Sequence, residues 1–339
     1  MYQDLKVLDV HAHLTSPGMS GQKLMLMMAM NSPMSSPFSG GPGLAPIEPL
    51  KEEDYYEAAA RHVKYIDDRN IDVQVIGPRP FQMFGWMEPH LLPAWTRIVN
   101  DMIAQMCRFF PDRFLGAAQL PQNASAPDIS HVLPELNRVV DEYGFVAVYA
   151  SPDPDGRRTT PGMHEPYWYP LYERCQELGL PIIVHGTNTL DRRFGVVPHN
   201  YQLGFLVEQY LATQFLGHGD VFERYPDLKV IVCHCGGALN RFIPTDHHLP
   251  QKDLSQNLFF DSCGYDLNFL EAAIKQRGVD QICFGVEAPG SGRDVRPETG
   301  RTSDDQIPVL ESFAWLTDED RKKILHHNPA KVIPALAKV

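Results

Sequence analysis

Three things are missing from this 339-residue sequence. No Gly-x-Gly-x-x-Gly follows its first apolar run, no apolar run approaches the roughly 20 residues of a membrane span, and no stripe of Lys and Arg occurs. The first absence weakens a doubly wound dinucleotide fold, and the second disfavours a membrane protein. The third fits a net charge of −12, with 30 Lys and Arg scattered among 42 Asp and Glu, and disfavours nucleic acid or an anionic membrane as partner. Only six cysteines occur, Cys107, Cys175, Cys233, Cys235, Cys263 and Cys283. They sit mostly inside apolar segments, which suits reduced, buried thiols rather than a disulfide framework. The first residues lack the charged region and apolar stretch of a signal peptide, so a cytoplasmic location is expected. There is no internal repeat and no evident linker, so residues 1–339 are expected to form a single barrel domain, and 43% apolar content is enough for its core.

What is present is an alternation. Short apolar segments at 6–13, 72–78, 114–120, 145–151, 181–185, 229–234, 258–263 and 281–287 read as strands. Helix-like stretches at 52–70, 93–110, 129–142, 167–178, 203–215, 267–275 and 303–315 lie between and after them. Eight strands alternating with helices predict a (β/α)8 TIM barrel, with an open doubly wound sheet as the competing arrangement. A long Met-, Ser-, Pro- and Gly-rich insert, 15–49, follows strand one. It fits either a lid over an apolar substrate or a face packed on a neighbouring subunit. The loop 152–166 after strand four carries Asp153, Asp155, Arg157 and Arg158, read as solvated charges.

Polar residues end four of the apolar runs: His11 and His13 on the first, His185 on the fifth, His234 on the sixth and Glu287 on the eighth. Residues i and i+2 of a strand share a face, so His11 and His13 can meet one cation. In a parallel barrel all C-terminal strand ends open on one mouth. An unpaired imidazole or carboxylate there would cost several kcal/mol, which one shared metal would remove for all of them. Cys233 and Cys235 flank His234 and, by strand alternation, should point away from it into packing.

The order His-x-His on strand one, His on strands five and six, and an acid on strand eight resembles the amidohydrolase superfamily, in its amidohydrolase-2 branch, over nearly the whole chain. Strand four, Phe145-Val-Ala-Val-Tyr, has no lysine to bridge two metals, so the resemblance implies a mononuclear site. Glutamate rather than aspartate at 287 resembles the subgroup of 4-oxalomesaconate hydratases and zinc-dependent carbon–carbon hydrolases of meta-cleavage products. So do Gly77-Pro-Arg-Pro-Phe-Gln-Met, Leu120-Pro-Gln, Ser151-Pro-Asp-Pro and Tyr167-Trp-Tyr-Pro-Leu-Tyr-Glu. Carried over residue by residue, the resemblance implies one divalent ion, zinc first and manganese as alternative, on His11, His13, His185 and Glu287. It implies His234 and Glu287 as the proton-moving groups. Arg79 matches an arginine that holds a substrate carboxylate, a role suited to a planar guanidinium. Tyr201 falls at a substrate-facing tyrosine, with His199 as its competitor. The subgroup's triglycine and following arginine are replaced by His234-Cys-Gly-Gly and Thr245, which leaves Arg241 as the nearest arginine.

The implied activity is water addition to, or carbon–carbon cleavage of, an unsaturated oxo-carboxylate from aromatic ring cleavage. Non-oxidative decarboxylation of a hydroxybenzoate, amide or lactone hydrolysis, and an inactive scaffold barrel are the alternatives. A small carboxylate is the expected partner, and a homo-oligomer the expected assembly.

Overall fold

The computed structural model describes residues 1–17, 51–83, 85–187, 189–191, 193–194, 202–243, 245–249 and 251–339. Eight parallel strands follow one another in chain order around one sheet. They are β1 Leu8–His13, β2 Val73–Gly77, β3 Phe114–Ala118, β4 Ala147–Ala150, β5 Ile182–Val184, β6 Val230–Val232, β7 Leu258–Asp261 and β8 Ile282–Cys283. The circle is completed where Val10 N–H donates to the Phe284 carbonyl and Glu287 N–H to the His11 carbonyl, each at 2.9 Å. This is the (β/α)8 barrel that the alternation predicts. The strands stop short of the polar residues that end the apolar runs, except in β1, because those residues turn into the mouth.

The helices α1 Glu52–Asp67, α2 Leu92–Phe109, α3 Leu133–Tyr143, α4 Tyr169–Leu178, α5 Leu203–His218 and α6 Leu267–Arg277 surround the strands. Among the described residues no crossover helix stands between β6 and β7. The expected helix at 303–315 is reduced to Ile307–Ser312, because Asp304 is buried and accepts from Arg69 Nε (2.8 Å) and the Tyr65 hydroxyl (2.7 Å) of the α1 region. Inside the barrel, Leu8, Val10, Val73, Ile183 and Phe259 pack together, closed off by Val332, Ile333 and Leu336 from the last helical turns. No helix among the described residues is long and apolar enough to cross a membrane.

Two local features aim the site. The register of β1 on β2 shifts between Asp9 and Ala12, so Leu8 and Val10 fill the interior, Ala12 packs outward, and His11 and His13 both reach the mouth. Asp9 holds this bulge by accepting from His11 N–H (2.9 Å) and Gln74 Nε2 (2.8 Å); Gln74 Oε1 in turn meets His62 Nε2 at 2.8 Å, and Thr15 Oγ1 meets His62 Nδ1 at 2.8 Å. Burial, opposed by these donors, pushes the Asp9 carboxyl up to about 7, and burial holds His62 down to about 3.

Second, Tyr149 on β4 stands where a bridging lysine is absent, its ring centroid 6.1 Å from those of His13 and His185. A Cβ on Gly77 would come within 2.2 Å of that ring. Gly77→Ala should therefore lower stability by about 1–3 kcal/mol through overpacking, read as a drop in Tm. An unchanged Tm would show that the ring yields freely.

The loop after β4 corrects one expectation. Asp153 and Asp155 are buried at 3% and 8% exposure rather than solvated. Asp153 accepts from Arg158 N–H, Asp155 from Arg157 N–H and the Thr159 hydroxyl, and Arg158 Nε pairs with Glu208 at 2.6 Å. The carboxylates serve as the turn's internal acceptors, and such groups are drawn inward with the backbone they bind. Burial pushes Asp153 up to about 7.

Candidate metal centre

Three imidazoles from two strand ends converge with a carboxylate from a third. His11, His13, His185 and Glu287 are all buried, and one donor atom from each lies within 4.8 Å of all the others. His11 Nε2 and His13 Nε2 are 3.3 Å apart, and His13 Nε2 is 3.3 Å from Glu287 Oε1.

The opposite edge of each ring decides what these atoms can be. His13 Nδ1 lies 2.8 Å from the Pro78 carbonyl and His185 Nδ1 2.6 Å from the Gly186 carbonyl. A carbonyl oxygen can only accept, so both Nδ1 atoms carry the proton and both Nε2 atoms present lone pairs. His11 Nδ1 sits 2.6 Å from Asp261 Oδ2, which assigns it the same tautomer. Lone pairs then face one another, and face Glu287, in a water-poor interior. His185 Nε2 is buried with no hydrogen-bond partner. Mutual repulsion of this kind is relieved by a cation, and imidazoles whose far nitrogen is held by a carbonyl or carboxylate are the usual metal ligands.

Charge states agree. Burial holds His13 down to about 4 and His185 well below its ordinary value, so both are neutral near pH 7, the form that coordinates. Burial alone would raise Glu287, but the neighbouring His234, whose proton affinity is raised, outweighs that and holds it well below the usual carboxylate range. Burial would likewise raise Asp261, but His11 holds it low, so both carboxylates are anionic. The neutral imidazoles of His13 and His185, His11 held at Nδ1 by the Asp261 carboxylate, and the Glu287 carboxylate suit a divalent cation.

His234 stands beside this set, its ring centroid 5.0 Å from that of His185 and 5.2 Å from that of His11. It leaves β6 in the left-handed region, at φ 53°. Its Nδ1 lies against the Gln209 side-chain amide at 3.0 Å, and its Nε2 is 3.7 Å from Glu287 Oε2. Burial opposes its charging, yet Glu287 and Asp261 outweigh burial and raise its affinity for a proton. The two oxygens of Glu287 are divided: Oε1 points to His13, while Oε2 accepts from the Ser291 hydroxyl at 3.0 Å and the Tyr265 hydroxyl at 3.3 Å.

A family model described as amidohydrolase matches residues 8–335, the whole barrel. The chain belongs to the amidohydrolase family. The 2-keto-4-carboxy-3-hexenedioate hydratase of Sphingobium sp. (strain NBRC 103272 / SYK-6) is 27% identical over 350 residues, covering 98% of this chain and 97% of that one. The crystal structure of 4-oxalomesaconate hydratase from Rhodopseudomonas palustris superposes with a TM-score of 0.79 at 27% identity, covering 98% and 97% of the two chains. A gamma-resorcylate decarboxylase of Polaromonas sp. (strain JS666 / ATCC BAA-500) is 27% identical over 254 residues, covering 68% of this chain and 76% of that one.

In this amidohydrolase the structure brings His11, His13, His185, His234 and Glu287 into one cluster. Arg79 stands at its edge, with Nε donating to the Leu14 carbonyl (2.9 Å) and Nη2 to the Pro289 carbonyl (3.4 Å). Arg241 is not brought in: it is exposed, with its guanidinium 5.5 Å from the Phe242 ring. Tyr201 and its competitor His199 lie outside the described residues, as does the insert from residue 18 to 49. The two cysteines beside His234 depart from strand alternation. Cys233 packs in the barrel interior and Cys235 in the outer layer, because the left-handed backbone at His234 and Cys235 breaks the alternation. Donor atoms of Cys233 and Cys263 come within reach of His11, but burial raises both thiols well above their ordinary values and keeps them protonated.

Sequence reasoning missed Asp261. The run Leu258-Phe-Phe-Asp ends in an acid exactly as far along its strand as the signal used for the others requires, at 0% exposure. Gln209, Tyr265 and Ser291 carried no such signal, because a helix or loop residue gains its meaning from what folds beside it.

Proposed function

We propose that this amidohydrolase is a metal-dependent hydratase that adds water to an unsaturated oxo-carboxylate, with carbon–carbon hydrolysis of a related oxo-acid as the neighbouring reaction on the same groups. The observation that carries the reading is the set of inward-facing Nε2 lone pairs with Glu287, the longer acid, completing the donors. Hydratase relatives matched over nearly the full length support the substrate class.

His11, His13, His185 and Glu287 would hold one divalent ion, with nitrogen-rich donors favouring zinc. Such an ion supplies Lewis acidity and lowers the pKa of a water toward about 7. His234, held by Gln209 on one edge and open toward Glu287 on the other, accepts a proton from the attacking water at Nε2. That proton then passes to the double-bond carbon next to the electron-withdrawing group, while the water oxygen bonds the other carbon, so water's two parts end on the two carbons of the former double bond. Glu287 Oε2, fixed by Ser291 and Tyr265, stabilises the transient imidazolium. Arg79 binds the substrate carboxylate, and its anchoring to Leu14 and Pro289 keeps the guanidinium at the rim between β1 and β8. The conjugated oxo group serves as the electron sink.

Purified protein assayed for metal and incubated with 4-oxalomesaconate, a meta-cleavage product and 2,6-dihydroxybenzoate tests this by product mass. About one ion per chain and a gain of one water by the oxo-acid are the expected results. Carbon dioxide released from the dihydroxybenzoate alone would replace the reading with decarboxylation. Arg79→Met should raise KM for the carboxylate substrate by about tenfold or more, the loss expected for one charge-assisted contact. An equal loss for an uncharged analogue would make Arg79 structural.

A further inference from the structure

The connection from β6 to β7 carries a single 3-10 turn, His234–Gly236, but no α-helix among the described residues, and where that layer is interrupted a cavity of about 550 Å³ opens between α5 and α6, floored by Leu258 and Phe260 of β7. That volume lies within the range of small-molecule sites. Its wall includes Arg277, the last residue of α6, which is only 9% exposed.

Arg277 shares with Arg296, among the buried arginines of the described residues, the lack of a carboxylate partner, and it alone of the two lines this cavity. Arg69 faces Asp304 at 2.8 Å and Arg138 faces Glu135 at 2.7 Å. Arg277 has no carboxylate partner among the described residues. Nη2 donates to the Ala238 carbonyl at 2.7 Å, the guanidinium carbon lies 4.3 Å from the Phe260 ring centre, and Nε is buried without a hydrogen-bond partner. Burial, opposed only by Cys235 and Tyr210 and by no carboxylate, depresses the guanidinium to about 10. A buried charge without a counter-charge is expensive. The same cavity is lined by Lys252, which pairs with Glu223 at 2.7 Å, by Asp253, and by the amides of Gln214, Asn240 and Gln276. Gln214 Nε2 donates to Asn240 Oδ1 and Gln276 Nε2 to the Asn240 carbonyl, and each amide keeps an N–H for an oxygen acceptor.

We propose that this crevice is a binding site for a small organic oxyanion, carboxylate or phosphate, with Arg277 as its anchoring cation and the three amides as its polar wall. The site is separate from the metal centre, yet it touches it through the backbone. The Ala238 carbonyl that Arg277 holds belongs to the turn that begins at His234, and a Cβ on Gly236 of that turn would lie 3.0 Å from Arg277 Nη2.

The test is calorimetric titration of the metal-loaded protein with inorganic phosphate and, separately, with succinate. Saturable binding of one anion per chain is expected, weakened about tenfold or more in Arg277→Met and partly kept in Arg277→Lys. Phosphate alone binding assigns a phosphorylated ligand, and succinate alone a carboxylate ligand. Gln276→Glu, at an exposed position, brings a competing carboxylate to the crevice without emptying the buried position, and should abolish binding even where Arg277→Met fails to fold. The Arg79→Met background removes the carboxylate grip at the mouth, and in the same titrations the Arg277-dependent binding should persist there, which separates this site from the mouth. Absence of saturable binding for both anions, or undiminished binding in both Arg277→Met and Gln276→Glu, overturns the proposal.

Discussion

Replacing His234 with Asn should reduce kcat by about 10²–10⁴-fold, the usual contribution of a positioned acid–base group, while KM and metal content stay near the wild-type values. Asparagine keeps much of the volume and can still hydrogen-bond the Gln209 amide, but it cannot take a proton at the position of Nε2. His234 is outside the four-donor set, so the ion should remain. Steady-state kinetics on the oxo-acid that the product-mass assay finds to be turned over, with metal analysis of the same preparation, reads both quantities. Intact turnover would remove His234 from the chemistry. Loss of the metal together with the activity would place it among the ligands instead.

Asp261→Asn should weaken metal affinity by about 10–100-fold, the effect typical of removing the group that orients a ligating imidazole. Asp261 Oδ2 accepts a hydrogen bond from His11 Nδ1–H, and its Oδ1 accepts from the backbone N–H groups of Cys235 (3.0 Å) and Cys263 (3.1 Å). The amide preserves shape and one acceptor oxygen but loses the charge that makes His11 a stronger donor to the ion. Competition with a chelator of known affinity measures the change. An unaltered affinity would mean that the strand-end backbone alone orients His11, and that Asp261 serves the β6 and β7 turns only.

The barrel was legible because its signals are local and repeated. Each buried parallel strand is an apolar run that needs no partner to be recognised, and eight of them in alternation with helices leave few ways to fold. The same holds for His11, His13, His185, His234 and Glu287. A polar group that ends an apolar run is conspicuous in one dimension, and the barrel's geometry sends all such ends to one mouth. Asp261 obeys the same rule and could have been read. The charges at 153 and 155 misled because polarity was equated with solvation. A carboxylate that satisfies its own loop's N–H groups is instead carried inward with that loop.

Other matters were settled in three dimensions alone. The bulge between Asp9 and Ala12, which turns both first-strand histidines inward beneath a filled interior, depends on a pairing register with β2 that composition does not encode. The tautomers of His13 and His185 are decided by the Pro78 and Gly186 carbonyls, and the first of these lies 65 residues away in the chain. The partner of His234, the division of Glu287 between His13 and two hydroxyls, and the isolation of Arg277 are likewise contacts between distant segments. Sequence alone determined which residues could do chemistry and at which end of the fold they would gather, because periodicity and strand ends are properties of neighbours along the chain. Which nitrogen carries a proton, which carboxylate stays charged and which cation lacks a counter-charge were decided by the tertiary structure, because hydrogen bonding and desolvation depend on what is close in space.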